Sequence, residues 1–451
     1  MSFLLKYLKN KKVTVLGAGA SGIAAAQLLK RNGVRVFVSE SKPEKDKQKE
    51  KKILQNYDIP FEFGGHTDSI YKSDLFVISP GISLDDDIIK VAENKGISVY
   101  GELEVASWYC QAPIIAVTGS NGKSTTTELI GYMFKNAGRK YEVAGNIGRA
   151  LAEIADTIDK ESTAIVEVSS FQLETIKSFH PKVAIFLNLS PDHLDRHGSM
   201  HIYGSYKARI FENQTSEDFL IYNGSDTHVT ELIQTAKSKK IVFNTKHPDH
   251  PCGYIANEKL IVQLGNEKET VININEMKKR GKHNTANALA AALSARLMGI
   301  DWESIRYSLR YFKGLPHRME FVRRKNDIIW INDSKATNVE SVWYALESFN
   351  TPVILIAGGR DKDADFSKLY NQVSKKVKQV ILLGEAAQKM KDVFKGLSVC
   401  IVNSLDEAVK AAEKIAEPGD TVLLSPCCTS FDMFANFEER GNKFKDFVNN
   451  Q

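Results

Sequence analysis

Ile114-Ile-Ala-Val-Thr-Gly-Ser-Asn-Gly-Lys-Ser-Thr125 is the stretch on which the fold turns. Its first four residues are apolar and mostly β-branched, the pattern of a short buried strand. Glycines and small polar residues then make a turn, and a helical pattern follows. Gly122-Lys123-Ser124 is the core of a phosphate-binding loop. Backbone N–H groups across Gly119, Ser120, Asn121 and Gly122 would wrap phosphate oxygens at the positive end of the helix. Lys123 would reach the β and γ phosphates, and the hydroxyl of Ser124 or Thr125 would sit on Mg2+. Val117 stands where the strict pattern has its first glycine, which moves the loop away from common kinases and switches.

The same strand–turn–helix rhythm occurs upstream. Val13 to Leu16 reads as a buried strand, Ser21 to Arg31 as a helix ended by Gly33, and Val34 to Ser39 and Leu75 to Ser79 as further strands. Gly17-Ala-Gly-Ala-Ser-Gly22 fits GxGxxG in that context, so its backbone can approach a diphosphate. Glu40 ends the second strand, where an acidic side chain often meets a ribose hydroxyl. The loop suggests NAD and does not by itself separate NAD from another diphosphate nucleotide.

Downstream, Ala164 to Val168 and Val183 to Leu187 read as strands of the central unit. The polar stretch from Asn213 to Gly281 reads as small strands and loops decorating it, and Asn284 to Met298 as an alanine-rich helix. A third unit opens near Gly314-Leu-Pro316. Its expected strands are Ile328 to Ile331, Val353 to Ala357, Val380 to Leu383, Ser398 to Val402 and Thr421 to Leu424. The fold class is therefore α/β, with three consecutive domains at 1–110, 111–314 and 315–451. The first is Rossmann-like, the second a P-loop ATPase domain with a parallel sheet, and the third Rossmann-like again.

Bulk properties narrow the function. The chain has 451 residues, with 43% hydrophobic residues, 25% charged residues and a formal charge of +5. That balance lacks the concentrated basic face of a nucleic-acid binder. The run from Lys42 to Lys52 mixes signs and reads as a solvated surface. Neither a secretory leader nor an apolar run of about 18 residues occurs, so the expectation is a cytoplasmic protein without membrane insertion. Five scattered cysteines without CxxC read as reduced thiols, with Cys427 and Cys428 as buried small residues rather than nucleophiles.

A phosphate loop needs metal ligands. Glu167, Asp192 and His193 follow strands and could hold Mg2+ or its waters. His193, His197 and His201 are spaced by four, which would suit zinc on one helix face, although Pro191 and Gly198 argue for a loop there.

Taken together, several motifs resemble the Mur ligases. They are Thr118 to Thr125, Glu167-Val-Ser-Ser-Phe-Gln-Leu-Glu174, Asp192-His-Leu-Asp-Arg196, Tyr206-Lys-Ala-Arg209, His283-Asn-Thr-Ala-Asn-Ala-Leu289, Gly314-Leu-Pro-His-Arg318 and Asp333-Ser-Lys-Ala-Thr-Asn338. The resemblance runs in order along essentially the whole chain. It implies an ATP-dependent ligase that phosphorylates a carboxylate on a uridine-nucleotide precursor of peptidoglycan and then joins an amino acid to it, D-glutamate being the one expected. It turns the first glycine loop into a uridine diphosphate site, with Gly19, Ala20, Ser21, Glu40, Ser41 and Ser79 around the nucleotide and Asn146 at the sugar-peptide end.

The resemblance also implies roles at the second loop. Asn284 and Asn287 would meet adenine, Arg318 the ATP phosphates and Asp333 the ribose. Two Mg2+ ions are expected, one on Ser124 and Glu167 and the other near His193. Lys207 would be carbamylated, which converts a cation into an anion able to orient a metal. Lys123, His193 and Lys207 would be the catalytic side chains. Lys335, Thr337, Lys362, Ser430 and the backbone of Phe437 would bind D-glutamate, and no Asp-Asn-Pro-Arg of the diamino-acid-adding relatives is present. The implied partners are the small-molecule substrates alone, on a monomer. A ligase adding another amino acid, including a folate polyglutamylating enzyme, an NAD-dependent oxidoreductase and a nucleotide-binding switch remain as other readings.

Overall fold

Apolar strands alternate with helices and collect into three sheets in the computed structural model, which describes residues 8, 11–245, 251–279, 281–349, 351–361 and 364–450. The first sheet contains β1 (Lys12–Leu16), β2 (Arg35–Glu40), β3 (Phe61–Phe63), β4 (Leu75–Ile78) and β5 (Ser98–Gly101). All run parallel in the order β3-β2-β1-β4-β5. The order reverses between β1 and β4, and the crevice at the carboxyl ends of those strands is where open α/β sheets receive ligands.

The second sheet holds β6 (Ile114–Thr118), β7 (Tyr141–Gly145), β8 (Thr163–Glu167), β9 (Val183–Phe186), β10 (Phe219–Asn223), β11 (Lys239–Phe243), β12 (Cys252–Ala256), β13 (Lys259–Leu264) and β14 (Glu267–Asn273). Their order is β14-β13-β12-β11-β10-β9-β6-β8-β7. β6 is buried along its whole length between β9 and β8, at the switch point of the sheet. The stretch expected to decorate this domain instead supplies five consecutive strands of its sheet. β12 turns into β13 over Asn257-Glu258, both in the left-handed region (φ 48° and 57°), which is the two-residue hairpin whose twist suits a sheet.

In the third sheet β15 (Glu320–Lys325), β16 (Ile328–Asn332), β17 (Val353–Gly358), β18 (Val377–Leu383), β19 (Val399–Ile401) and β20 (Thr421–Cys427) follow the order β15-β16-β20-β17-β18-β19. Only β15 is antiparallel, paired with β16 through Asn326-Asp327. The pairings β16–β20, β20–β17, β17–β18 and β18–β19 are parallel.

By contact density the chain forms two compact units. One comprises Met1–Leu189, Ser199–Arg280 and Asn284–Phe312; the other comprises Ser190–Gly198, Gly281–His283 and Lys313–Gln451. Carboxylates join the first two sheets within one unit. Glu104, fully buried, accepts from the backbone N–H groups of Lys177 (2.9 Å), Ser178 (2.8 Å) and Phe179 (2.9 Å) and from Trp108 Nε1 (2.9 Å). Asp156 takes a forked pair from Arg31, at 2.8 and 3.2 Å, and a third bond from Asn32. No helix among the described residues is long and apolar enough to cross a membrane.

Candidate active site

The phosphate loop sits between the carboxyl end of β6 and the helix Lys123–Asn136. Its backbone uses conformations that side chains resist: φ is 145° at Gly119 and 87° at Gly122. A Cβ on Gly122 would run into Asn287 Oδ1, so the helix Lys282–Leu297 brings Asn287 against the loop. Asn284 lies three residues earlier on that helix. Asn188 supports the loop from β9: its Oδ1 accepts from Asn121 N at 2.8 Å and its Nδ2 donates to Asn121 O at 2.9 Å. Ser120 N donates to Asn188 O at 3.0 Å. Ser124 and Thr125 are buried in the first turn of the helix, whose N-terminal N–H groups and dipole favour an anion.

Two lysines converge here. Lys123 Nζ donates to Gly119 O (2.8 Å) and Ser120 O (2.9 Å). Lys207, only 1% exposed, donates to the same Gly119 O at 2.9 Å, with the Tyr203 ring 4.7 Å from its Nζ. The Tyr203 hydroxyl lies 3.2 Å from Ser120 Oγ. Arg209, two residues beyond Lys207, turns inward and donates to the carbonyls of Leu173, Glu174 and Ile176, anchoring this segment.

Glu167 enters from β8, whose register places it opposite Val117 of β6. It is 3% exposed; Oε1 accepts from Asn146 Nδ2 at 3.1 Å, and Oε2 is buried with no donor among the described residues. A buried acceptor without a partner costs about 1–3 kcal/mol. A divalent cation beside the phosphate loop fits that oxygen, and a hard oxygen donor is what Mg2+ prefers. Asn146, expected at the sugar-peptide end of the substrate, therefore lies beside Glu167.

At that first loop, Gly19 caps the helix Ala20–Arg31, with Ser21 in its first turn. A Cβ on Gly22 would collide with Gly17 O, which explains that glycine. Ser79 Oγ donates to Gly17 O at 3.3 Å. Glu40 is a clamp for the turn: Oε2 accepts from Ala18 N (2.8 Å), and Oε1 from Lys42 N (2.9 Å) and Ser41 Oγ (3.3 Å). Burial pushes its carboxyl up, but those donors and the Lys47 ammonium outweigh burial and hold it below the usual carboxylate value.

The other unit carries the remaining candidates. A cavity of about 690 Å3 is lined by Asp192, His193, Thr337, Arg360, Cys427 and Cys428, among others. His193 adopts φ 53°, left-handed, with Nε2 3.7 Å from Asp192 Oδ2. Asn338 Nδ2 reaches Asp192 Oδ2 at 3.4 Å. His193 caps the short helix Leu194–His197, Gly198 ends it at φ 71°, and His201 belongs to the next helix, Met200–Ala208. The three histidines thus do not share a helix face, which removes the basis of the zinc reading.

Asp333 is buried and engaged by Met319 N (3.1 Å) and Ser425 Oγ (2.9 Å). Arg318 lies between His317 and Met319, both with positive φ. Lys335 Nζ stands 5.3 Å from the Phe437 ring centre. Ser430 is buried in the turn after β20. Lys362 lies outside the described residues. Sequence reading missed Arg440, buried at 3% exposure, which donates to Ser334 Oγ and to the carbonyls of Ser334, Thr429 and Cys428. Burial lowers its pKa to about 10, far from neutrality, so it stays charged and fixes the loop that carries Ser430. Tyr203 and Asn188 were missed as well; no local signal marks them, because their contacts lie 83 and 67 residues away.

Three stretches match known domain families: residues 12–88 the MurD N-terminal domain, 117–295 the Mur ligase middle domain, and 317–428 the Mur ligase glutamate ligase domain. The UDP-N-acetylmuramoylalanine–D-glutamate ligase of Chloroherpeton thalassium is 41% identical, covering 98% of this chain and 99% of its own. The protein of that name from Caldanaerobacter subterraneus is 42% identical, with 98% of each chain covered. Among solved structures, a pseudomurein peptide ligase type C from Methanothermus fervidus aligns with a TM-score of 0.61 at 21% identity, covering 98% of this chain and 100% of that one. The UDP-N-acetylmuramate-alanine ligase of Thermotoga maritima gives 0.60 at 19%, with coverage of 98% and 100%. At those identities the two structures speak for the fold alone.

Proposed function

The chain belongs to the Mur ligase family, and on that premise we propose that it adds D-glutamate to UDP-N-acetylmuramoyl-L-alanine in peptidoglycan synthesis, converting ATP to ADP and phosphate. The observation that carries this reading is the 41% identity to a D-glutamate ligase across 98% of the chain, all three sheets included.

The chemistry follows from the groups available. A carboxylate acylates poorly because its leaving group would be oxide, so the substrate carboxylate first takes the γ-phosphoryl group of ATP. The amine of D-glutamate then attacks the acyl phosphate, and phosphate leaves from the tetrahedral intermediate. Charge gathers on phosphoryl oxygens during the first step, so catalysis is mainly positioning and neutralisation. Gly119 to Thr125 cradle the phosphates, Lys123 offsets their charge, and Asn284 and Asn287 hold adenine. Ser124 and Glu167 would hold Mg2+, with a second ion near His193; the metal supplies further charge neutralisation on the phosphates. Support for the first of these is the buried, unpartnered Glu167 Oε2.

Lys207 acts in this reading as a carbamate. Two ammonium groups on one carbonyl oxygen repel each other in a buried setting, and carbamylation replaces one of them by an anion. Gly19, Ala20, Ser21, Glu40, Ser41 and Ser79 form the uridine diphosphate site, with Glu40 acting through the backbone turn it clamps. Asn146 meets the sugar-peptide end. Arg318 and Asp333 reach ATP, while Lys335, Thr337, Lys362, Ser430 and the Phe437 backbone bind D-glutamate. The domains 1–110, 111–314 and 315–451 then serve the nucleotide substrate, ATP and the amino acid in turn, on a cytoplasmic monomer.

Phosphate release from ATP with UDP-N-acetylmuramoyl-L-alanine, compared across D-glutamate, L-glutamate, L-alanine and L-lysine, tests the assignment. Release with D-glutamate alone is expected. Release only with another amino acid would move the chain to a different ligase of the family, and none with any of the four would refute the reading.

A further inference from the structure

The cavity lined by Thr337 and His193 is also lined by two adjacent cysteines, each 2% exposed, and the ligase chemistry uses neither. Along a strand, neighbouring side chains point to opposite faces. Cys427 ends β20 and Cys428 follows it, so an extended chain would send their sulfurs apart. Cys427 instead adopts φ 65°, a left-handed conformation that a residue with a Cβ resists. The alternation breaks there, and both residues line the one cavity. The turn is held from both sides: Cys427 N donates to Ala336 O at 2.9 Å, and Cys428 O accepts from Arg440 Nη2 at 3.2 Å. Backbone strain that the surroundings over-determine in this way tends to mark a site.

We propose that Cys427 and Cys428 form a vicinal dithiol site that captures trivalent organoarsenicals from within this cavity. An arsenic(III) oxide of the type R–As=O forms two As–S bonds, one to each sulfur. Both S–H bonds and the arsenic–oxygen bond break, and the two protons leave with that oxygen as water. Arsenic remains trivalent and no electrons move. Burial first, then each thiol's other acidic neighbours (Cys428 and Asp361 for Cys427, Asp361 for Cys428), keep both groups protonated; Cys428 is pushed up to about 12. Oxidation by peroxide starts from a thiolate and is suppressed under those conditions, whereas condensation with an arsenical consumes the thiol protons. The other cysteines, Cys110, Cys252 and Cys400, have no neighbour in sequence with which to chelate.

The test uses the full chain and phenylarsine oxide at one equivalent, read by intact mass under native conditions. One phenylarsenic group, bound with loss of water, is expected; it should survive excess 2-mercaptoethanol and be removed by 2,3-dimercaptopropanol. Cys428→Ser and Cys427→Gly should each lose the monothiol-resistant adduct, glycine being chosen because it accepts the left-handed backbone. Cys110→Ser should retain it. Absence of the adduct in the folded parent, or its persistence in either Cys428→Ser or Cys427→Gly, would overturn the assignment. The readout is independent of the ligase reaction, so neither result depends on the proposed function.

Discussion

Lys123 and Lys207 donate to one carbonyl oxygen, that of Gly119, and the proposed reaction gives them different roles. Lys207→Ala is expected to lower turnover at least about a hundredfold, and added formate or acetate should restore part of it by occupying the place of the proposed carbamate. Turnover in the variant with and without carboxylate is the measurement; equal activity in parent and variant would remove Lys207 from the mechanism. His283 gives a prediction about stability. Burial, followed by the charges of Arg318 and Lys282, lowers its pKa from 6.5 to about 4, and its Nε2 is buried without a hydrogen-bond partner among the described residues. Between those values the unfolded chain binds a proton that the folded chain refuses. The stabilising contribution is therefore full above pH 6.5 and is lost as pH falls toward 4, by up to roughly 3 kcal/mol. His283→Gln should flatten that part of the urea-midpoint curve against pH, and an unchanged slope would contradict the assignment.

At the scale of elements, Glu104 is the clearest structural hinge-pin, tying the helix Glu102–Tyr109 to the backbone of Lys177 to Phe179. Glu104→Ala takes the acceptor from the N–H groups of Lys177, Ser178 and Phe179, and the buried one, at Phe179, costs about 1–3 kcal/mol before relaxation. A marked fall in unfolding temperature is expected, with amide exchange at 177–179 accelerated; protection unchanged at those amides would refute the role. Nothing in sequence announces this contact, because its partners are 73 to 75 residues away. What sequence did disclose was local. β1 and β6 were legible as apolar runs before glycine turns, and the phosphate loop, Glu167 and Lys207 as motifs. β7 and β15 were missed because they are edge strands, only partly buried, and β15 reads Glu-Phe-Val-Arg-Arg-Lys. The argument from Gly198 against one helix face for His193, His197 and His201 was legible too, since that glycine, at φ 71°, separates two short helices.

For the whole molecule, the candidate residues divide between two compact units: the phosphate loop, Glu167 and Lys207 in one, and His193, Asp333, Lys335 and Thr337 in the other. Both are required by the proposed reaction, so stability and activity need not respond alike to pH. Glu102 sets one such dependence. Burial raises its carboxyl from 4.5 to about 7, against one opposing bond from Ala152 N at 2.9 Å and with Glu153 adding to the rise. The folded state then holds a proton that the unfolded chain gives up between those values. This stabilisation is present below pH 4.5 and lost as pH rises through 7. Glu102→Gln should raise the unfolding temperature at pH 8 and leave it little changed at pH 4.5; no gain at pH 8 would count against the buried acid.

Carboxylate activation is the central claim, and an isotope tests it most directly. With 18O in the substrate carboxylate, turnover with ATP and D-glutamate should deliver one labelled oxygen into the released phosphate. Label found in AMP, or phosphate released without label, would contradict an acyl phosphate and the roles assigned around Lys123.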